Sequence, residues 1–321
     1  MEIKENELIK RLKRFGKSSE EVLRGIGDDG AVAEMTQGSY VFVQDGLAEH
    51  IHFDFSFIDS YYVGKKAIYV NVSDILSMGA VPLYFLVTIG IPRHINYKQI
   101  NRLYTGMGRA AKEFNVILLG GDTIETKSDF IIDVSMIGKL VTERYLGRDS
   151  AKEGDLIGVT GWLGESAYGL SLLQTGKKAK APNRFIDRHI NPKPPYALWK
   201  ELIKSDITNA MMDISDGLFI DLERMMLESG KSAKIHLEKL PVPAILKRKC
   251  LEHLALAGGE DYQLLFTFSP ENLQTIGDIT KKGFFVSIIG EVTKGKGVKL
   301  LKDGKIVRLV IKGYEHFGAH L

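Results

Sequence analysis

Cysteine is almost absent: Cys250 is the only one in 321 residues. That excludes an internal disulfide, and no cysteine or histidine stands at C-x-x-C or H-x-x-x-H spacing to it, which argues against zinc. A small packed side chain fits Cys250 better than a nucleophile. Long apolar runs are missing too. The most apolar stretch, Val81 to Pro92, is too short to span a bilayer and carries proline at both ends. Met1 to Phe15 mixes Glu and Lys with Leu8, Leu12 and Phe15 at helical spacing, which predicts an amphipathic surface helix without the apolar middle of a signal peptide. Charge of one sign is not in excess, with 43 Lys plus Arg against 40 Asp plus Glu and a net charge of +3. Such balance gives no support to a nucleic-acid or membrane-surface role. Together these absences predict a cytoplasmic protein.

The usual nucleotide signatures are absent as well. No G-x-x-x-x-G-K-[ST] loop occurs, because Gly16-Lys17-Ser18 lacks the leading glycine and follows a charged helical stretch. No H-R-D loop with a later D-F-G is found. Gly161-Trp162-Leu163-Gly164 reads as a helix-start turn rather than a dinucleotide loop. Any use of ATP must therefore run through a site of another kind.

What is present is a globular composition long enough for two domains. Strand-like runs at 40–43, 131–137 and 156–160 alternate with helical ones at 61–78 and 99–114, which predicts an α/β or α+β fold. Pro192-Lys193-Pro194-Pro195 must be an irregular connection. The charged stretch Arg144 to Asp155 places a boundary between an N-terminal domain, 1–143, and a C-terminal one, 144–321.

Carboxylates recur beside glycine or at the ends of apolar runs. They lie in Gly25-Ile26-Gly27-Asp28-Asp29-Gly30, Gln44-Asp45-Gly46, Ser73-Asp74, Gly120-Gly121-Asp122-Thr123 and Asp213-Ile214-Ser215-Asp216-Gly217. One Asp-Gly is usually a turn. Adjacent acids between glycines, as at Asp28-Asp29, repel each other and exceed what a turn needs. Several hard oxygen ligands suit Mg²⁺ bound with substrate phosphates, and glycines let backbone N–H groups approach phosphate oxygens. The set reads as a metal–nucleotide site holding several Mg²⁺ ions around a polyphosphate; no D-x-D-x-D-G loop of the calcium type competes. Asn71-Val72-Ser73-Asp74-Ile75-Leu76 is echoed by Asp213-Ile214-Ser215-Asp216-Gly217-Leu218, and Gly120-Gly121-Asp122-Thr123 by Gly258-Gly259-Glu260-Asp261, both about 140 residues on. The echoes suggest that the two halves do related work.

The ordered set GIGDDGA, a strand ending at Asp45 followed by His52-Phe53, NVSDILSMGA, GGDT, GRDSAKEGD, VTGWLGESAYGL, MDISDGL, GGEDYQLLFT and Gly313-Tyr314-Glu315-His316-Phe317 resembles the thiamine-monophosphate kinase family. That family is similar in turn to aminoimidazole ribonucleotide synthetase and selenophosphate synthetase. The likeness spans about Leu8 to Phe317. It implies an N-terminal α/β domain whose strands pair across a homodimer and a C-terminal α/β domain covering the nucleotide. It implies ATP as co-substrate and thiamine monophosphate as acceptor, with direct in-line transfer and no catalytic side chain. By the resemblance, Asp29, Asp45, Asp74, Asp122, Asp213 and Asp216 are Mg²⁺ ligands. Tyr104, Gly121, Arg148 and Ser215 contact the nucleotide, and His52, Glu260 and Tyr314 contact the thiamine phosphate.

By residue type alone His52 is as readily a structural histidine, Tyr314 a packing aromatic and Arg148 a surface residue. Val43-Gln44 departs from the paired hydroxyl residues common before this aspartate in the family, which bears on one metal position; Ala48 and His50 also depart, near the acceptor. The alternatives are another ATP-using enzyme of the same superfamily acting on a different metabolite, or a nucleotide-binding regulator without turnover.

Overall fold

A computed structural model describes residues 12–15, 22–24, 32–33, 35–175, 183–309 and 311. Two compact units form. One contains the described residues up to Leu76 with Ala80–Val141, and the other contains Ser77–Gly79 and the described residues from Thr142 onward. The fold is mixed α/β, as the alternating pattern predicts.

In the first unit, β1 (Val22–Arg24) and β2 (Val32–Ala33) pair antiparallel. The main sheet has four strands, β3 (Tyr40–Ala48), β4 (Ala80–Pro92), β5 (Ile117–Thr126) and β6 (Ile131–Leu140), in the order β3-β6-β4-β5. β4 and β5 run parallel because α2 (Tyr97–Phe114) crosses over between them; the other pairs are antiparallel. One face of the sheet is dry, with Phe85, Val87, Ile89, Ile132, Val134 and Met136 all within 2% of full burial. It packs against α1 (Ser60–Ser77): Ile75 Cγ2 lies 2.7 Å from where a Cβ on Gly138 would stand.

Helix α1 is apolar nearly all round and lies in the interior, with Val63, Ala67, Ile68, Val70, Val72, Ile75 and Leu76 buried. It meets α2 at backbone contact. A Cβ on Gly64 would stand 2.0 Å from the Leu103 carbonyl oxygen, and one on Gly106 1.9 Å from that of Tyr61. Only glycine allows this crossing. Helix α2 starts two residues earlier than its apolar period predicts, because Asn96 and Gln99 form a capping box. Asn96 Oδ1 accepts from Lys98 N and Gln99 N at 3.0 and 3.1 Å, and Gln99 Oε1 accepts from Asn96 N at 3.2 Å.

The second unit is built on a seven-stranded sheet in the order β13-β12-β9-β11-β7-β10-β8. Its strands are β7 (Leu156–Thr160), β8 (Thr208–Asp213), β9 (Ser232–His236), β10 (Leu264–Phe268), β11 (Val286–Thr293), β12 (Gly297–Lys302) and β13 (Lys305–Val307). Helices α3 (Glu165–Gln174), α4 (Arg184–Ile190), α5 (Tyr196–Ser205) and α6 (Leu218–Glu228) follow these strands, and 192–195 is irregular as expected. Ile157, Val159, Met212, Leu222, Met225 and Leu265 sit in one continuous core.

The two sequence echoes do not mark a duplicated structure. Asn71 to Asp74 lies inside α1, whereas Asp213 to Asp216 runs off the end of β8 into a loop. Gly120 to Asp122 lies within β5, whereas Gly258 to Asp261 precedes β10. Short Gly/Asp runs recur here in unlike backbones.

Candidate functional site

In the first unit, sheet register sets the acidic positions. Asp45 on β3 pairs with Val134, Val134 with Val87, and Val87 with Gly121. That row lies on the face covered by α1, the helix that carries Asp74, and both aspartates are partly exposed. Asp122 belongs to the next row, with Thr88, Asp133 and Gly46. Because alternate residues face opposite sides, the register does not bring Asp45 and Asp122 together. They also lie on the two outer strands, three strand spacings or about 14 Å apart. Magnesium oxygens sit about 2.1 Å from the ion, so these two carboxylates serve different ions if both ligate.

Asp122 Oδ1 accepts from Thr123 N at 2.7 Å. Gly121 has a packing reason for being glycine, since a Cβ there would stand 1.8 Å from the Val87 carbonyl oxygen. Gln44, which replaces a hydroxyl residue of the family pattern, donates from Nε2 to Asp133 Oδ2 at 2.6 Å. Its amide is thus engaged across the strand pair, in the face opposite Asp45.

His52 is half-buried. Its Nδ1 accepts from Ala48 N at 3.1 Å, which leaves the ring hydrogen of the neutral form on Nε2. Its carbonyl accepts from the buried Lys66 Nζ at 2.8 Å. Tyr104 on α2 is buried, with its ring centroid 5.4 Å from that of Phe15, and burial raises its hydroxyl pKa. Asp29 lies outside the described residues.

In the second unit a ladder extends past the end of β8. Asp213, buried, pairs with Leu264; Ile214 N donates to Gln263 O at 2.8 Å, Tyr262 N to Ile214 O at 2.9 Å, and Glu260 N to Ser215 O at 2.7 Å. The predicted residues Asp213, Ser215, Asp216 and Glu260 are therefore neighbours. Two buried aspartates that sequence reasoning passed over hold them. Asp221 Oδ2 accepts from Ser215 N, Asp216 N and Gly217 N, each at 3.1 Å. Arg224 Nη1 bridges Asp216 Oδ2 at 2.5 Å and Asp221 Oδ1 at 3.0 Å. Burial, then the neighbouring Asp216 charge, pushes Asp221 up to about 6. The amides of Ser215, Asp216 and Gly217 thus face a carboxylate of their own chain.

Asp261 is the second. Its oxygens accept from Gly164 N at 2.6 Å and Ser166 N at 3.1 Å, tying the start of α3 to this ladder. Burial pushes it up to about 7. Glu260 and Tyr262 on either side take left-handed backbone angles, φ 64° and 46°, which non-glycine residues seldom adopt. Arg188 Nη2 donates to the Asp261 carbonyl at 3.1 Å, and burial lowers the Arg188 pKa. The signals for these residues were an Asp and an Arg three apart in the chain and an acid adjoining Glu260; neither says which carboxylate turns inward. Arg148 is exposed, and its carbonyl accepts from Ser229 Oγ at 2.6 Å. Tyr314 lies outside the described residues.

Among the described residues, no three His, Cys, Asp or Glu side chains gather as a ready cage for an ion. The aspartates singled out from the sequence are all hard oxygen donors, the kind of donor magnesium takes.

The family profile for AIR synthase related protein, N-terminal domain, matches residues 27–140, and that for the C-terminal domain matches 152–303. The thiamine-monophosphate kinase of Aquifex aeolicus (strain VF5) is 38% identical over 91% of this chain and 92% of its own. A solved structure, AaThiL complexed with AMPPCP and TMP, superposes with TM-score 0.78 at 36% identity, over 97% of this chain and 96% of its own. The thiamine-monophosphate kinase structure from Stenotrophomonas maltophilia K279a gives TM-score 0.83 at 28% identity, over 96% and 99%.

Proposed function

The chain belongs to the AIR synthase related family and, within it, to the thiamine-monophosphate kinases, and from that premise we propose a magnesium-dependent reaction that moves the γ-phosphoryl group of ATP onto thiamine monophosphate. The products are thiamine diphosphate and ADP. The observation that carries this reading is the near full-length likeness to a structure holding both AMPPCP and TMP.

A terminal phosphate oxygen of the acceptor attacks the γ-phosphorus in line. A phosphate dianion needs no base, so the protein's task is alignment and charge neutralisation. Asp29, Asp45, Asp74, Asp122, Asp213 and Asp216 would hold Mg²⁺, which would supply screening of the repulsion between the two anions. Tyr104, Gly121, Arg148 and Ser215 bind the nucleotide. His52, Glu260 and Tyr314 bind the thiamine phosphate.

The protein works as a cytoplasmic homodimer in this reading. The open face of the four-stranded sheet supports the dimer, since Phe42, Leu86, Ile124 and Ile131 are 40–71% exposed there. Among the described residues no helix is long and apolar enough to cross a membrane.

The test is ADP release with ATP and Mg²⁺, with and without thiamine monophosphate. Release that depends on the acceptor, with thiamine diphosphate as the co-product, is expected. ATP turnover that ignores thiamine monophosphate, or none at all, overturns the assignment.

A further inference from the structure

One buried titratable side chain touches the candidate acceptor residue and has no part in the reaction described so far. His189, on α4, is 2% exposed. Its Nδ1 lies 3.3 Å from Glu260 Oε2 and 3.1 Å from Ser166 Oγ. A carboxylate oxygen beside Nδ1 is attractive only when that nitrogen carries hydrogen, so Glu260 selects the Nδ1–H form of the ring. Ser166 is fully buried, and its own amide is held by Asp261, so the hydroxyl stands at a set point beside the ring.

The Glu260 backbone is also constrained, by its left-handed φ and by its N–H bond to Ser215 O. Its side chain remains about a quarter exposed. The carboxylate is thus gripped through Oε2 from the protein side while part of it faces outward.

We propose that His189, supported by Ser166, is a positioning residue that orients the Glu260 carboxylate for the cationic thiamine portion of the acceptor. This rests on the reading that Glu260 faces the acceptor. An N–H donor inside the protein suits the purpose, because it fixes the orientation of the carboxylate.

The experiment measures KM for thiamine monophosphate and for ATP in His189→Leu, His189→Asn, Ser166→Ala, Glu260→Gln and the double variant Glu260→Gln/His189→Leu, with circular dichroism to check folding. His189→Leu should raise the thiamine monophosphate KM about tenfold and leave the ATP KM within about twofold. His189→Asn keeps an N–H near the Nδ1 position and should stay within about threefold of the parent. In the Glu260→Gln background, His189→Leu should add less than about twofold, because its effect runs through the carboxylate.

Equal rises in both KM values, or an undiminished effect in the Glu260→Gln background, overturn the proposal in favour of a purely structural histidine. If Glu260→Gln raises the acceptor KM while His189→Leu does nothing, this inference alone fails. If Glu260→Gln itself leaves the acceptor KM unchanged, the acceptor placement fails and takes the inference with it. Should His189→Leu not fold, Ser166→Ala in the parent and Glu260→Gln backgrounds is judged by the same criteria.

Discussion

The two units place their acidic residues by different means. In the first, Asp45 and Asp122 are strand residues and Asp74 is a helix residue, so hydrogen-bonded ladders and helix packing set their positions. In the second, Asp216 and Glu260 lie in irregular backbone, and buried carboxylates of the same chain set the loop shape: Asp221 collects three amides and Asp261 two. A carboxylate on a regular element has its backbone position fixed by the element itself. One on a loop needs an interior anchor, and that anchor carries the larger stability cost when removed.

The largest effect that would test this contrast is at Asp221. Asp221→Ala strands three amides and one side of Arg224 in a buried place, and should destabilise the protein by about 3–5 kcal/mol in urea unfolding, with activity lost in parallel. A loss below about 1 kcal/mol would show that water can replace the collar. Asp122→Asn should do the reverse, lowering kcat about 100-fold at saturating magnesium without moving the unfolding midpoint. Full turnover would remove Asp122 from the metal-binding set.

Gly121→Ala pushes a methyl toward the Val87 carbonyl, where 1.8 Å is available, and should cost about 1–3 kcal/mol as β5 shifts away from β4. If stability holds while the ATP KM rises, the glycine serves the nucleotide and the close packing is incidental. The smallest effect is expected at Gln44, whose amide is bonded to Asp133. Gln44→Ala should cost about 1 kcal/mol or less and shift the magnesium concentration for half-maximal rate by under about twofold. A larger shift would make Gln44 a substitute ligand for the hydroxyl residues common at that position in the family.

Much of the architecture was legible locally. The apolar period over 99–114 predicted α2, and the Asn96–Gln99 pair explains its earlier start. The runs at 131–137 and 156–160 appear as β6 and β7. The acidic candidates were legible as a class because glycine-flanked carboxylates are rare in plain cores. What stayed hidden was the division of labour among adjacent acids. Glu260 and Asp261 look alike in a chain, yet one is partly exposed and the other is fully enclosed. Asp216 and Asp221 differ in the same way, and residue type carries no information about which will face inward.

The order of motifs alone pointed to the family, because residue type, glycine placement and spacing are local properties of the chain. Tertiary structure alone decided that Asp45 and Asp122 occupy different faces, that Gln44 binds Asp133, that Asp221 and Asp261 collect loop amides, and that His189 lies beside Glu260. Those outcomes depend on strand register and on burial, which arise only when segments far apart in the chain pack together and exclude water from the groups between them.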